Sequence, residues 1–277
     1  MPVIELLAPA LVACLLLACV LSYFGYHVLM REVIFVDLAL AQLAALGGAL
    51  GHSLTEHDDG SLTYIGSFAL TFLGAAIFTW ARPGAGRIPQ EAVIGIVYGV
   101  SAALVILVLS QSALDRDEIE AMMTGRLLFA EWSEVGTMAG VFAAIATFHY
   151  VFRSVFLEHS HAHRDINKTD HNRWLDFLFY LSFGVVVTSA VQLAGVLVVF
   201  GLLIVPAASA AIFYTGVLQR LLGAWLIGSI ACAIGIGASA QWDLPTGASV
   251  VTALGAVFAC LAFAERFVNA RRSDGPL

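Results

Sequence analysis

Apolar stretches of about twenty residues, the length that spans a bilayer as a helix, recur along this chain between short polar gaps. Residues 4–30 form the first, closed by Arg31 and Glu32, and 33–52 the second, rich in Ala and Gly. Crossings three and four are predicted at 61–81 and 92–110, and a fifth at 136–157. The segment 111–135 is polar, with six acids and two arginines around an apolar centre, and is predicted as a helix lying on the membrane surface. Residues 174–214 then run apolar for about twice the crossing length, with one charge, Asp176, at the start. One straight helix of that length does not fit a bilayer, so two crossings with a bend between Gln192 and Gly195 are expected. Pro206 and the small residues after it point to a second disturbance of the helix. Final crossings fall at 217–240 and 245–267.

The pattern therefore predicts an all-α polytopic membrane protein of nine crossings, or eight if 174–214 re-enters instead of spanning twice. Composition agrees: the chain has 277 residues, 60% hydrophobic and 12% charged, where a soluble domain carries about 25% charged residues. Mean hydropathy is +0.89. The gaps hold no soluble catalytic domain, so residues 1–277 are read as one membrane domain. The first stretch lacks a basic start and is longer than a signal sequence, so it is read as a retained helix. Cys14, Cys19, Cys232 and Cys260 all lie in apolar stretches without metal-site spacing and are read as free thiols.

The net charge of −7 matters through its distribution. Basic residues at Arg31, Arg82, Arg87, 153–173, Arg220 and the C-terminal tail belong inside, and the acidic run 54–60 outside. Nine crossings with the N-terminus out and the C-terminus in satisfy every loop. The basic residues set orientation and give no nucleic-acid footprint.

Ionisable groups inside a bilayer are costly and usually functional, which singles out Asp37, His149, His27 and His52. Asp37 with Gln42 offers oxygen ligands to a divalent metal, although five residues turn a helix by about 140° and separate their faces. Asp37 also reads as a carboxylate favoured by the N-terminal dipole of its helix, and His149 as a hydrogen-bonded packing residue. The acidic run Glu56–Asp59 is either a cation-attracting mouth or a solvated loop. His159, His161, His163 and His171 cluster in the basic loop, either as a metal-sensing set or as a hydrated polar segment. There is no phosphate-binding G-x-x-x-x-G-K-[ST] loop, no H-E-x-x-H and no G-x-S-x-G, so neither P-loop ATP hydrolysis nor two common hydrolase chemistries belong to this chain.

Four blocks carry a family resemblance: MREVIFVDLALAQLAALGGALG, EAVIGIVYGVSAALVILVLS, VQLAGVLVVFGLLIVPAASA and DLPTGASVV, with EIEAMMTGRLL between the second and third. Through them the chain resembles the permease subunits of bacterial zinc/manganese/iron ABC importers, as a divergent branch. The family's D-x-x-x-H pair falls on Leu38 and Gln42 here, with Asp37 one residue early. The resemblance implies a multi-pass inner-membrane permease importing zinc, manganese or iron. It binds no cofactor covalently and hydrolyses no ATP itself. Implied partners are a second copy in a homodimer, two ATP-binding subunits, an extracytoplasmic metal-binding protein and membrane lipid. Asp37, Gln42, Gln192 and Pro206 are the expected pathway-lining residues, with Asp37, Gln42 and His52 toward metal. Residues 153–173 are the expected ATPase-docking loop, through Phe156, Glu158, Arg164 and Asp165. Two rivals remain: a proton-coupled secondary transporter using Asp37 as relay, and a membrane enzyme using the histidine cluster as a metal site.

Overall fold

The computed structural model describes residues 3–53, 60–80, 88–111, 126–163 and 172–273. Every regular element among them is helical: α1 (Val3–Arg31), α2 (Val36–Ser53), α3 (Gly60–Trp80), α4 (Gln90–Gln111), a 3-10 turn at Leu127–Phe129, α5 (Trp132–Val151), α6 (Arg153–His163), α7 (Arg173–Phe213), α8 (Val217–Trp242) and α9 (Thr246–Ser273). Seven of these, all but α2 and α6, are long and apolar enough to cross a membrane. The 18-residue α2 occupies the second predicted crossing but is not in that set.

Two expectations change at the fifth crossing. It begins earlier, at Trp132, because Glu131 and Glu134 form a reciprocal capping box that satisfies the first free N–H groups. It also ends earlier, at Val151: Phe152 leaves helical geometry (φ −99°, ψ 17°), and the polar segment expected as a loop starts as helix α6. Of the predicted surface helix at 111–135, residues 112–125 lie outside the described residues.

Helix α7 is the centre of the bundle. It packs against α1, α2, α3, α8 and α9, and it contributes Phe179, Tyr180, Phe183, Val186 and Val187 to the buried core. Its 41 residues would measure about 60 Å if straight, twice the hydrocarbon thickness. The helix is broken instead at Gly195, where φ is 77° and ψ 160°, inside the window the sequence predicted. That backbone region is essentially closed to residues with a Cβ. The break frees a carbonyl at Leu193, and the Arg126 N–H donates to it at 3.0 Å, so a buried polar group that bilayer lipid cannot satisfy is paired by protein.

Close helix approach depends on small residues elsewhere. A Cβ on Gly47 of α2 would overlap the carbonyl of Gly66 on α3, and one on Gly66 would overlap that of Gly47. This pairing of backbones is how helices gain packing energy where the hydrophobic effect is absent.

Gly195→Val forces a branched residue into that backbone geometry. It should destabilise the fold by about 1–3 kcal/mol, read as a lower melting temperature of the detergent-purified protein. An unchanged melting temperature would mean that the break relaxes without cost.

Candidate functional site

The densest polar constellation in the described bundle joins the end of α1, the start of α7 and the short helix α6. Arg31, the last residue of α1, donates from Nη1 to Asp176 Oδ1 at 2.7 Å. The two side chains are 0% and 8% exposed, so the pair is out of water. His159 of α6 donates from Nε2 to the same carboxylate oxygen at 2.9 Å. Arg31 Nε also donates to Ser160 Oγ at 3.0 Å, and the same hydroxyl bonds His27 Nδ1 at 2.9 Å. The Arg31 guanidinium lies over the Phe179 ring, 3.9 Å from its centroid, an attraction that strengthens where water is excluded.

Helical spacing accounts for the placement within each element. His27 and Arg31 are four apart on α1, which puts them on one helix face. On α6 the buried residues are Phe156, His159 and Ser160, at the same spacing, while Val155 and Glu158 are exposed. Next to His27 on α1, Tyr26 bonds His161 through OH and Nε2 at 2.7 Å. A second set sits beside the first: the His149 ring bonds Tyr23 through Nδ1 at 3.0 Å and Ser182 through Nε2 at 2.8 Å, and it stacks on Phe156 at 4.3 Å. The packing role expected of His149 is what the structure shows. His27 Nε2 and Arg31 Nη2 are buried without a partner.

The other sequence candidates are scattered. Asp37 is buried in the first turn of α2, with Oδ1 unpartnered. Gln42 is buried on the same helix, and His52 is half-buried in its last turn. Gln192 is exposed beside the break in α7, and Pro206 is buried in the second half of that helix. Phe156 faces the core, so of the predicted docking residues in the described structure only Glu158 is presented outward. The His163 side chain, His171, Arg164 and Asp165 lie outside the described residues. Among the described residues no three His, Cys, Asp or Glu side chains converge as a metal-binding group: His159 is turned to Asp176 and His161 to Tyr26. A cavity of about 400 Å³ opens between α1, α7 and α8, with Ser22, Tyr26, Glu32 and Arg220 as its polar lining.

The sequence reading named Arg31 as a helix-ending and orienting charge and Asp176 as the charge that begins a crossing, and it missed Ser160 and Tyr26 altogether. The available signal was the spacing of His27 and Arg31, together with one acid at the head of an otherwise uncharged stretch.

The profile of the ABC 3 transport family matches residues 3–265. The chain belongs to the ABC 3 transport family. The resemblance carried by the four blocks therefore holds: this is a multi-pass ABC-transporter permease of the inner membrane. Similar proteins include an uncharacterized membrane protein of Synechocystis sp., 24% identical over 251 residues that cover 89% of this chain and 86% of the relative. Another is the manganese transport system membrane protein MntC of Listeria innocua, 25% identical over 80% of each chain. Among solved structures, PsaBC from Streptococcus pneumoniae in complex with Fab shares the fold, with a TM-score of 0.79 and 21% identity over 96% of this chain and 95% of the other.

Arg31→Met removes the counter-charge of a buried ion pair and leaves Asp176 without its guanidinium partner, a change that typically costs about 3–5 kcal/mol. The double change Arg31→Met with Asp176→Leu, which strands no charge, should recover most of that loss. Thermal unfolding of the purified variants measures both, and equal destabilisation of the single and double variants would contradict the pairing.

Proposed function

We propose that this chain is the membrane-spanning subunit of an importer for divalent metal ions, zinc, manganese or iron, driven by ATP hydrolysed on separate subunits. The observation that carries this reading is the family match across residues 3–265. The manganese system named for the Listeria relative supports a metal cargo. The chain contains no P-loop sequence, in keeping with ATP chemistry on a partner.

Two copies pair as a homodimer with the pathway along their interface, two ATP-binding subunits sit beneath, and an extracytoplasmic metal-binding protein delivers the ion. The N-terminus lies outside and the C-terminus inside, which puts the ends of α1 and α8 that carry Arg31 and Arg220, with α6, on the cytoplasmic side. In this arrangement α2 is a crossing, and α7 supplies two, one on each side of Gly195. Val155 and Glu158 on the outward face of α6 belong to the surface that meets the ATPase.

The ion passes by exchanging water for transient oxygen ligands. Asp37 supplies a carboxylate oxygen that no protein donor occupies, and Gln42 supplies an amide oxygen one and a half turns on. Hard and borderline divalent cations accept such ligands, and a sparse set binds weakly enough to release. A pathway needs passage more than affinity, so the lack of a closed three-ligand site among the described residues is compatible with transport.

Elemental analysis of whole cells grown in metal-depleted medium tests the reading. Deleting the gene should lower one of zinc, manganese or iron, and the intact chain should restore it while Asp37→Ala should not. Unchanged contents of all three metals in cells known to express the protein would overturn metal import. Uptake that survives ATP depletion but collapses with the proton gradient would replace it with the proton-coupled alternative.

A further inference from the structure

Helix α6 has two unlike faces. Outward it presents Val155 and Glu158, and inward it buries Phe156, His159 and Ser160. Its inward contacts are directional. His159 holds Asp176 at the head of α7, and Ser160 is held by both Arg31 and His27 near the end of α1. His161 reaches Tyr26, also on α1. The last member, Arg31 with Asp176, closes the triangle between α1 and α7.

Apolar helix contacts slide at little cost, because one methyl replaces another. A buried ion pair does not slide, because parting the charges leaves each desolvated and unpaired. Three elements joined this way are therefore constrained to move together. The constraint extends along α7, whose backbone departs from helical geometry only at Gly195. Beyond that point the ladder is interrupted, and the carbonyl of Leu193 is bonded to Arg126 instead.

We propose that Arg31, Asp176, His159 and Ser160 are positioning residues for energy coupling: they join α6, the end of α1 and the first half of α7 into one lever that bends at Leu193–Gly195. The proposal rests on the function given above, in which α6 lies on the ATPase side. A push on the outer face of α6 then reaches the break in the middle of α7 without loss in sliding contacts, and the second half of α7 changes angle against it.

The test uses the permease assembled with its ATP-binding subunits in proteoliposomes, with ATP hydrolysis and uptake of zinc, manganese or iron measured on the same sample. His159→Phe, which removes the N–H that Asp176 accepts, should leave hydrolysis within about twofold of the unmodified complex and lower uptake at least about tenfold. His159→Gln, which keeps an N–H donor, should return uptake per ATP toward the unmodified value. An unchanged ratio of uptake to hydrolysis in His159→Phe, whether both persist or fall together, overturns the linkage, since a merely structural role lowers the two in parallel. If the unmodified complex hydrolyses ATP and moves none of the three metals, the functional reading fails separately. The lever is then judged by spin labels at Val155→Cys on α6 and Leu178→Cys on α7, with the four native cysteines replaced. A distance between them that stays constant with and without ATP supports one rigid body, and a distance that changes overturns it.

Discussion

Arg31 and Asp176 meet at 2.7 Å in a place that water does not reach, and the arrangement of one end of the bundle follows from that meeting. Neither group tolerates isolation there: a desolvated charge costs several kcal/mol, and only a close counter-charge with further hydrogen bonds repays it. Asp176 accordingly takes a second donor from His159, and Arg31 a second acceptor in Ser160 and an aromatic face in Phe179. Arg31 stands on α1, Asp176 and Phe179 on α7, and His159 and Ser160 on α6, so satisfying one pair brings three helices together. The net stability of such a cluster over an apolar replacement is small. Its contribution is geometric, because directional bonds from α6 to both α1 and α7 fix the three elements against one another.

The opposite strategy holds α2 to α3. There, absence of side chains lets Gly47 and Gly66 bring backbones together, and packing alone stabilises the contact. The molecule thus combines a surface that permits small sliding with one that does not. Helix α7 packs against α1, α2 and α3 alike, and it meets both kinds of contact in the half that precedes the break at Gly195.

The existence of the long apolar helices was legible from hydropathy, since twenty apolar residues in a row have few other fates. The break was legible because 41 residues do not fit one crossing, and glycine and glutamine marked where it falls. The early stop at Phe152 was only half legible: Arg153 and Ser154 follow it, but Val155, Phe156 and Leu157 resume the apolar run and carry the expected crossing past it. The family, too, was legible, because its blocks are spread in order along the chain. What the sequence withheld was pairing. Arg31 and Asp176 are 145 residues apart, and periodicity within one helix says which face a residue occupies but not which helix will lie against it. His159 shows the difference most plainly. Its spacing to His161 and His163 suggested imidazoles acting as a set, whereas in the structure His159 and His161 take separate partners, Asp176 and Tyr26.

That separation bears on how an ATP-driven permease with so few charges can work. Only 12% of the residues are charged, and among the described residues most lie at or near helix ends, where the bilayer allows them. A transporter needs both a route for the ion and a means of receiving work from outside the membrane, and these make different demands on polar groups. A route needs ligands that are left incompletely satisfied, so that a cation gains something by entering and loses little by leaving; in the function proposed above, that is the part given to Asp37, whose Oδ1 has no hydrogen-bond partner. A mechanical joint needs ligands satisfied by one another, as Asp176 is by Arg31 and His159, so that nothing passing by competes for them. The two kinds of carboxylate stand on different helices, Asp37 on α2 and Asp176 on α7. Their environments, more than their residue type, decide which task each can perform.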